Sequence, residues 1–173
     1  MRNPEERSDL PSAPVRISYR VDYGVRLMTR LAELGAESPD RPVRGAELAE
    51  HDGLPPSSVD DILRLLRNAG LVRSQRGGGG GWILARPAKA ITVAQVIRAI
   101  EGPLSVVRGV RPHDLAAEGE REPFISLWIA VRASLRSVLE AVTIAHLASG
   151  QLPRRITALL ADPDAWEAHG TSA

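Results

Sequence analysis

Cysteine is missing from all 173 positions, which excludes disulfides, thiolate nucleophiles, Cys-ligated zinc and Cys-ligated iron–sulfur clusters by inventory alone. Lysine is nearly missing too, since Lys89 stands alone among 22 basic residues. No apolar run approaches the roughly 20 residues that cross a bilayer, and the start, Met1 to Pro14, is polar and proline-bearing rather than signal-like. A soluble, cytoplasmic protein without a membrane partner is expected. Acidic residues vanish from one stretch: between Ile62 and Arg98 lie Arg64, Arg67, Arg73, Arg76, Arg86, Lys89 and Arg98 with no Asp or Glu, although the net charge is only +1. Such a run suits a polyanion, and it equally suits the solvated surface of an arginine-rich chain.

What is present is ordinary globular material, with 43% apolar residues in a length that fits one modest domain and an added element. Residues 1–14 carry three prolines and alternating charges and should form a disordered tail. From Tyr19 to Glu37, Val21, Val25, Met28 and Ala32 recur at helical spacing, flanked by Leu27, Leu31 and Leu34. A short second helix over 44–51 ends at Asp52-Gly53. Pro55 and Pro56 suit the opening turn of a third, in which Val59, Ile62, Leu63 and Leu66 form the buried stripe and Gly70 the stop.

The other face of the third helix offers Ser57, Ser58, Asp60, Asp61, Arg64 and Arg67, with its short polar groups gathered at the N-terminal end. Two helices joined by a tight glycine-containing turn, the second polar at its start, make a helix-turn-helix pattern. The sequel makes it specific. Residues 71–76 read as a strand, Gly77 to Gly81 as a five-glycine turn and residues 82–85 as a returning strand, giving a β-hairpin wing. Backbone without side chains at Gly77, Gly78 and Gly79 can approach phosphates closely, while Arg76 at the base can reach a minor groove. Thr92 and Gln95 then stand at capping-box spacing before Val93, Val96, Ile97 and Ile100, and Glu101-Gly102-Pro103 ends that helix.

Residues 106–122 show no periodicity and read as a loop. From Phe124 to Ala145 the apolar steps alternate between four and three: Phe124, Trp128, Val131, Leu135, Val138, Val142 and Ala145. That is a coiled-coil-like seam, and Ile125, Leu127, Ile129, Leu139, Ile144 and Leu147 make it too wide for a monomer to leave in water. One long helix over 123–148 and a partner surface are expected, followed by a short helix over 153–160 and a frayed tail. The fold class is therefore mainly α with a small β-hairpin: a winged helix-turn-helix domain over 15–104, then a dimerisation helix.

Three segments, Arg16-Ile-Ser-Tyr-Arg-Val-Asp-Tyr-Gly-Val-Arg26, the stretch from Gly70 through the glycines and Trp-Ile-Leu-Ala-Arg to Pro87, and Ile91-Thr-Val-Ala-Gln-Val-Ile-Arg-Ala-Ile-Glu-Gly-Pro-Leu104, resemble the Rrf2 family of bacterial transcriptional regulators. The likeness runs from about Arg16 to Leu147, and the wing with the helix after it is its specific part. It implies a homodimer, held by the long C-terminal helix, on double-stranded DNA with a palindromic operator. Position by position, it implies that Ser57 and Asp60 read bases, that Arg76 enters the minor groove, and that Ser18, Tyr19 and Ser58 contact the DNA backbone. Cluster-sensing members place three cysteines in the loop before the dimerisation helix; here residues 105–122 have none, so no cofactor is expected. Asp22 stands where one such member uses an aspartate ligand, and a helix-start hydrogen bond or charge is its expected role instead. His113, alone in the loop, is expected to be solvated rather than a metal ligand. Because GTG codons initiate translation in bacteria, Val15 offers an alternative start.

An enzymatic reading of the glycine run as a phosphate cradle fails on spacing, since Trp82-Ile83 follows where Lys and Ser or Thr would be needed. The four histidines do not cluster with acids. A purely protein-binding winged helix is the nearer alternative, but it has no need of Arg64, Arg67, Arg73 and Arg76 around a bare-backbone tip, whereas phosphate neutralisation does. A small-molecule or protein effector is left open by the sequence.

Overall fold

The structure is a computed structural model, and it describes residues 17–77, 79–104, 114–115 and 122–167. Its elements are α1 (Tyr19–Glu33), α2 (Gly45–Asp52), α3 (Pro56–Asn68), β1 (Val72–Gln75), β2 (Gly81–Leu84), α4 (Val93–Glu101), α5 (Glu122–Leu139), α6 (Ile144–Ser149) and α7 (Arg154–Leu160). The mainly helical architecture with one two-stranded antiparallel hairpin agrees with the sequence reading.

Helix ends follow local chemistry. Ser18 caps α1 by accepting from the Val21 N–H at 3.3 Å. The helix stops at Glu33 rather than at Glu37, because Gly35 takes a left-handed φ of 70° and lets the Ala36 N–H reach back to the Leu31 carbonyl. Gly70 ends α3 the same way, turning Leu71 into the core. Thr92 and Gln95 form the expected reciprocal capping box on α4.

α1 packs against α2, α3, α4, α6 and β2, so the core gathers around it. Leu27, Met28 and Leu31 meet Leu48, Ile62, Leu63, Leu66, Leu84, Ile91 and Ile144 there, all of them fully enclosed. No polar or charged residue is buried among the described residues. The ion pair of Arg30 with Asp52 at 3.1 Å ties α1 to the end of α2. Hydrogen bonding to Asp52 raises the Arg30 pKa above its already high ordinary value.

The expected continuous helix over 123–148 breaks in two. α5 ends at Leu139, and Val142-Thr143 runs extended instead before α6 begins at Ile144. The β-branched pair Val142-Thr143 favours that conformation, and tertiary bonds hold it: the Val93 N–H donates to the Val142 carbonyl and the Ile144 N–H to the Ile91 carbonyl, both at 2.9 Å. Thr143 then caps α6 with His146. The unperiodic reading of 106–122 lies mostly outside the described residues. Within that stretch Leu115 is fully buried, and Glu122 already begins α5.

Candidate nucleic-acid interface

α3 leads with prolines and turns its apolar stripe inward, which leaves Ser57, Asp60, Arg64 and Arg67 exposed and Ser58 half-buried. The start of α1 stands beside this helix. Tyr19, Arg20, Ser58, Asp61 and Ile62 line one cleft of about 180 Å³, so two of the three residues expected to contact the DNA backbone, Tyr19 and Ser58, come together although they lie far apart in the chain. Ser18 adjoins it as the α1 cap, its hydroxyl oxygen accepting from the Val21 N–H. Tyr19 is 63% exposed and meets Tyr23 edge-to-face. Arg20 was not singled out from the sequence: an isolated arginine on a helix carries no pattern, and only the approach of α1 to α3 gives it this place. Asp60 lies beside the start of α2, its carboxylate 3.5 Å from where a Cβ on Gly45 would sit.

The wing is β1 paired antiparallel with β2, with Val72 opposite Leu84 and Gln75 opposite Gly81. Val43 adds a one-residue third strand: its N–H donates to the Trp82 carbonyl at 3.0 Å, and its carbonyl accepts from the Trp82 N–H at 2.7 Å. A single bridge has no periodicity to announce it, so the sequence did not show it. The wing is therefore anchored on both sides and presents Arg73 and Arg76 outward.

The glycines divide by role. A Cβ at Gly81 would sit 2.6 Å from the Val43 carbonyl oxygen, and one at Gly80 2.4 Å from that of Gln75, so both positions require glycine for the fold. Gly77 has φ 121°, a conformation side chains resist. Gly79 is exposed and a Cβ there would meet nothing within 4 Å, so packing does not explain it. Gly78 lies outside the described residues.

The basic run is continuous in sequence but not in space. Arg67, Arg73 and Arg76 are exposed with no ion pair among the described residues. Arg64 pairs with Asp61 at 3.0 Å, each side chain 61% exposed; such a surface pair is worth at most about 1 kcal/mol and yields readily to a phosphate. Arg98 belongs elsewhere, pairing with Glu140 beyond α5.

Of the expected seam, Phe124, Trp128, Val131, Leu135 and Val138 lie on α5, whose only buried residue is Ile125. Phe124, Leu127, Ile129 and Val131 are 39–51% exposed. Val142 does not join them. It sits on the extended link and is 7% exposed, lining an apolar groove with Val21, Val25, Val93 and Ile97 rather than the face of α5.

Residues 17–150 match the model of the Rrf2 family, described as an iron-dependent transcriptional regulator. Rv1287 of Mycobacterium tuberculosis, described as an HTH-type transcriptional regulator, is 42% identical over 160 residues, covering 91% of this chain and 98% of its own. The HTH-type transcriptional regulator CymR of Bacillus subtilis is 35% identical over 135 residues, covering 78% of this chain and 91% of its own. Among solved structures, that of B. subtilis CymR, named there the global cysteine regulator, superposes with TM-score 0.66 at 33% identity over 80% of this chain and 99% of that one. IscR of T. potens gives TM-score 0.60 at 30% identity over 90% and 94% of the two chains.

Iron dependence finds no matching donors among the described residues. An iron–sulfur cluster needs thiolates, or histidines beside them, and the chain has no cysteine. Among the described residues no three His, Asp or Glu side chains gather at metal-binding distance. Asp22 is engaged by the Arg26 Nε, which donates to its carboxylate at 2.8 Å on the surface of α1, in keeping with the helix-start charge expected of it. His113 lies outside the described residues.

Proposed function

The chain belongs to the Rrf2 family of transcriptional regulators, and from there we propose that it is a homodimeric repressor which occludes a promoter by seating two wings and two recognition helices on a palindromic operator. It is a DNA-binding regulator and not an enzyme. The observation that carries the reading is the grouping of an α3 polar face, a Tyr19–Ser58 cleft and a rigid hairpin bearing uncompensated Arg73 and Arg76. Arg64, Arg67 and Arg73 neutralise phosphates, giving affinity that falls with salt. Ser57 and Asp60 read base edges in the major groove, Asp60 as an acceptor suited to a cytosine amino group. Arg76 enters the minor groove, where the backbone potential is most negative, and Gly79 lets the tip approach without a side chain in between.

Dimerisation through α5 is supported by its four half-exposed apolar side chains, which a second copy would remove from water. Two-fold symmetry then puts the half-sites about 34 Å apart, or a multiple of that, along the duplex. Selection of bound sequences from random duplexes tests the whole reading. The expected outcome is an inverted repeat protected by the dimer and bound with a steep salt dependence. A folded sample with no salt-sensitive affinity for any duplex would overturn the reading.

A further inference from the structure

A second concentration of positive charge lies away from the wing, between α4 and α5. Arg98, Gly102, Pro103, Leu104, Arg132 and Arg136 line a pocket of about 330 Å³. Arg98 Nη2 and Arg136 Nε both donate to one oxygen of Glu140, at 2.5 and 3.0 Å, so two guanidiniums converge on a single carboxylate. Arg136 Nη2 takes the other oxygen at 3.3 Å. Arg132, one helical turn before Arg136 and half-buried, has no hydrogen bond or ion pair among the described residues. Three arginines therefore line one concave site, two of them hydrogen-bonded to Glu140 beside it, and the charge of Arg132 is not offset among the described residues; the pocket's volume suits a small metabolite.

Mutual repulsion makes such a cluster unfavourable unless an anion completes it. A fold stabilised only by ion pairs would be served by Arg98 and Arg136 on Glu140 and would gain nothing from Arg132. Guanidinium forks match the paired oxygens of carboxylates and phosphates bidentately. We propose that this pocket is a binding site for a small dianion, a phosphate or a dicarboxylate, held by Arg132 together with the outer N–H groups of Arg98 and Arg136. Its walls join the end of the winged-helix domain to α5. Regarding the dianion as an effector rests on the DNA-binding reading above; the site itself does not.

Titration calorimetry on the full chain without DNA, at matched ionic strength with chloride as reference, separates the two questions. Inorganic phosphate and succinate are the probes, and comparison of their heats tells a phosphate site from a dicarboxylate site. Saturable binding of one dianion per chain to at least one probe is expected. Arg132→Ala, which places the best helix former on a half-exposed helical position, should weaken it about tenfold or more, and Arg132→Lys should fall between the two. Glu140→Gln, which removes the competing carboxylate, should tighten it several-fold. No saturable heat with either probe, unchanged binding by Arg132→Ala, or binding lost with Arg73→Ala plus Arg76→Ala but kept in Arg132→Ala would each overturn the site. None of these outcomes bears on operator affinity, which is measured separately.

Discussion

The winged-helix body and α5 are built from the same aliphatic residues yet meet water differently. In the body, Leu27, Leu31, Leu48 and Leu63 show no exposed surface. On α5, Phe124 is 49% and Leu127 51% exposed. Hydrophobicity does not separate the two regions; the supply of covering surface does. α1 has α2, α3, α4, α6 and β2 around it, while among the described elements α5 meets mainly α4, and Ile125 is its one buried side chain. The body thus covers its own apolar residues, whereas α5 carries apolar side chains that the described residues of its own chain leave half-exposed.

The sharpest way to break that contrast is Val131→Asp. A carboxylate at the centre of an interface that excludes water should cost several kcal/mol of association, giving a monomer by light scattering while the circular dichroism of the body stays that of the wild type. A surviving dimer would show that α5 is not the shared surface. Next in size is Gly81→Ala, which pushes a methyl group into the Val43 backbone and should cost roughly 1–3 kcal/mol of stability in denaturant titration. Its counterpart Gly79→Ala should stay within about 0.5 kcal/mol of wild type and weaken DNA binding instead. If both glycines behave alike, the division of the wing into structural and contacting glycines fails.

Within the interface, Arg76→Ala should cost about 1–3 kcal/mol on the operator and blunt preference over scrambled duplex, whereas Arg73→Ala should weaken both duplexes equally and lower the salt slope by about one. Equal behaviour of the two variants in competition titrations would remove the distinction between minor-groove and phosphate roles. The smallest effect concerns the link between the regions. Hydrogen bonds from Arg136 and then Arg98 hold the Glu140 carboxyl down to about 2, below its ordinary 4.5. A depressed carboxylate favours the folded form above its ordinary value and loses that advantage as the pH falls through the folded one. The α4–α5 clasp should therefore be at full strength above about pH 4.5 and fade between 4.5 and 2, whereas in the Glu140→Gln variant this dependence should vanish. The group is exposed, so the change should be small in a pH series of thermal unfolding.

Local signals were legible wherever one segment carries its own explanation. The stripe Val59, Ile62, Leu63, Leu66 is buried as its spacing indicates, Thr92 and Gln95 cap α4 reciprocally, and Gly70 ends α3. Most of the candidate interface was legible for the same reason, because recognition helix and wing are consecutive in the chain. Arg20 was not, since its place in the cleft depends on α1 approaching α3. Nor was the separate pairing of Arg98, which shares a charge run with Arg76 but lies on a different element.

Periodicity, turn residues and capping pairs, all set by neighbours within about one turn, determined the helices, the hairpin and the polar face of α3 from sequence alone. Tertiary structure decided what such local rules do not contain. Val142 continues a seam by spacing, yet the hydrogen bond its carbonyl accepts from the Val93 N–H, and the one its neighbour Ile144 donates to the Ile91 carbonyl, some fifty positions earlier, hold it out of the helix and bury it. Gly81 is one of five identical residues by sequence, and only the Val43 backbone lying against it makes glycine necessary there. A pattern along the chain states which groups want cover; the folded arrangement decides which other part of the molecule provides it.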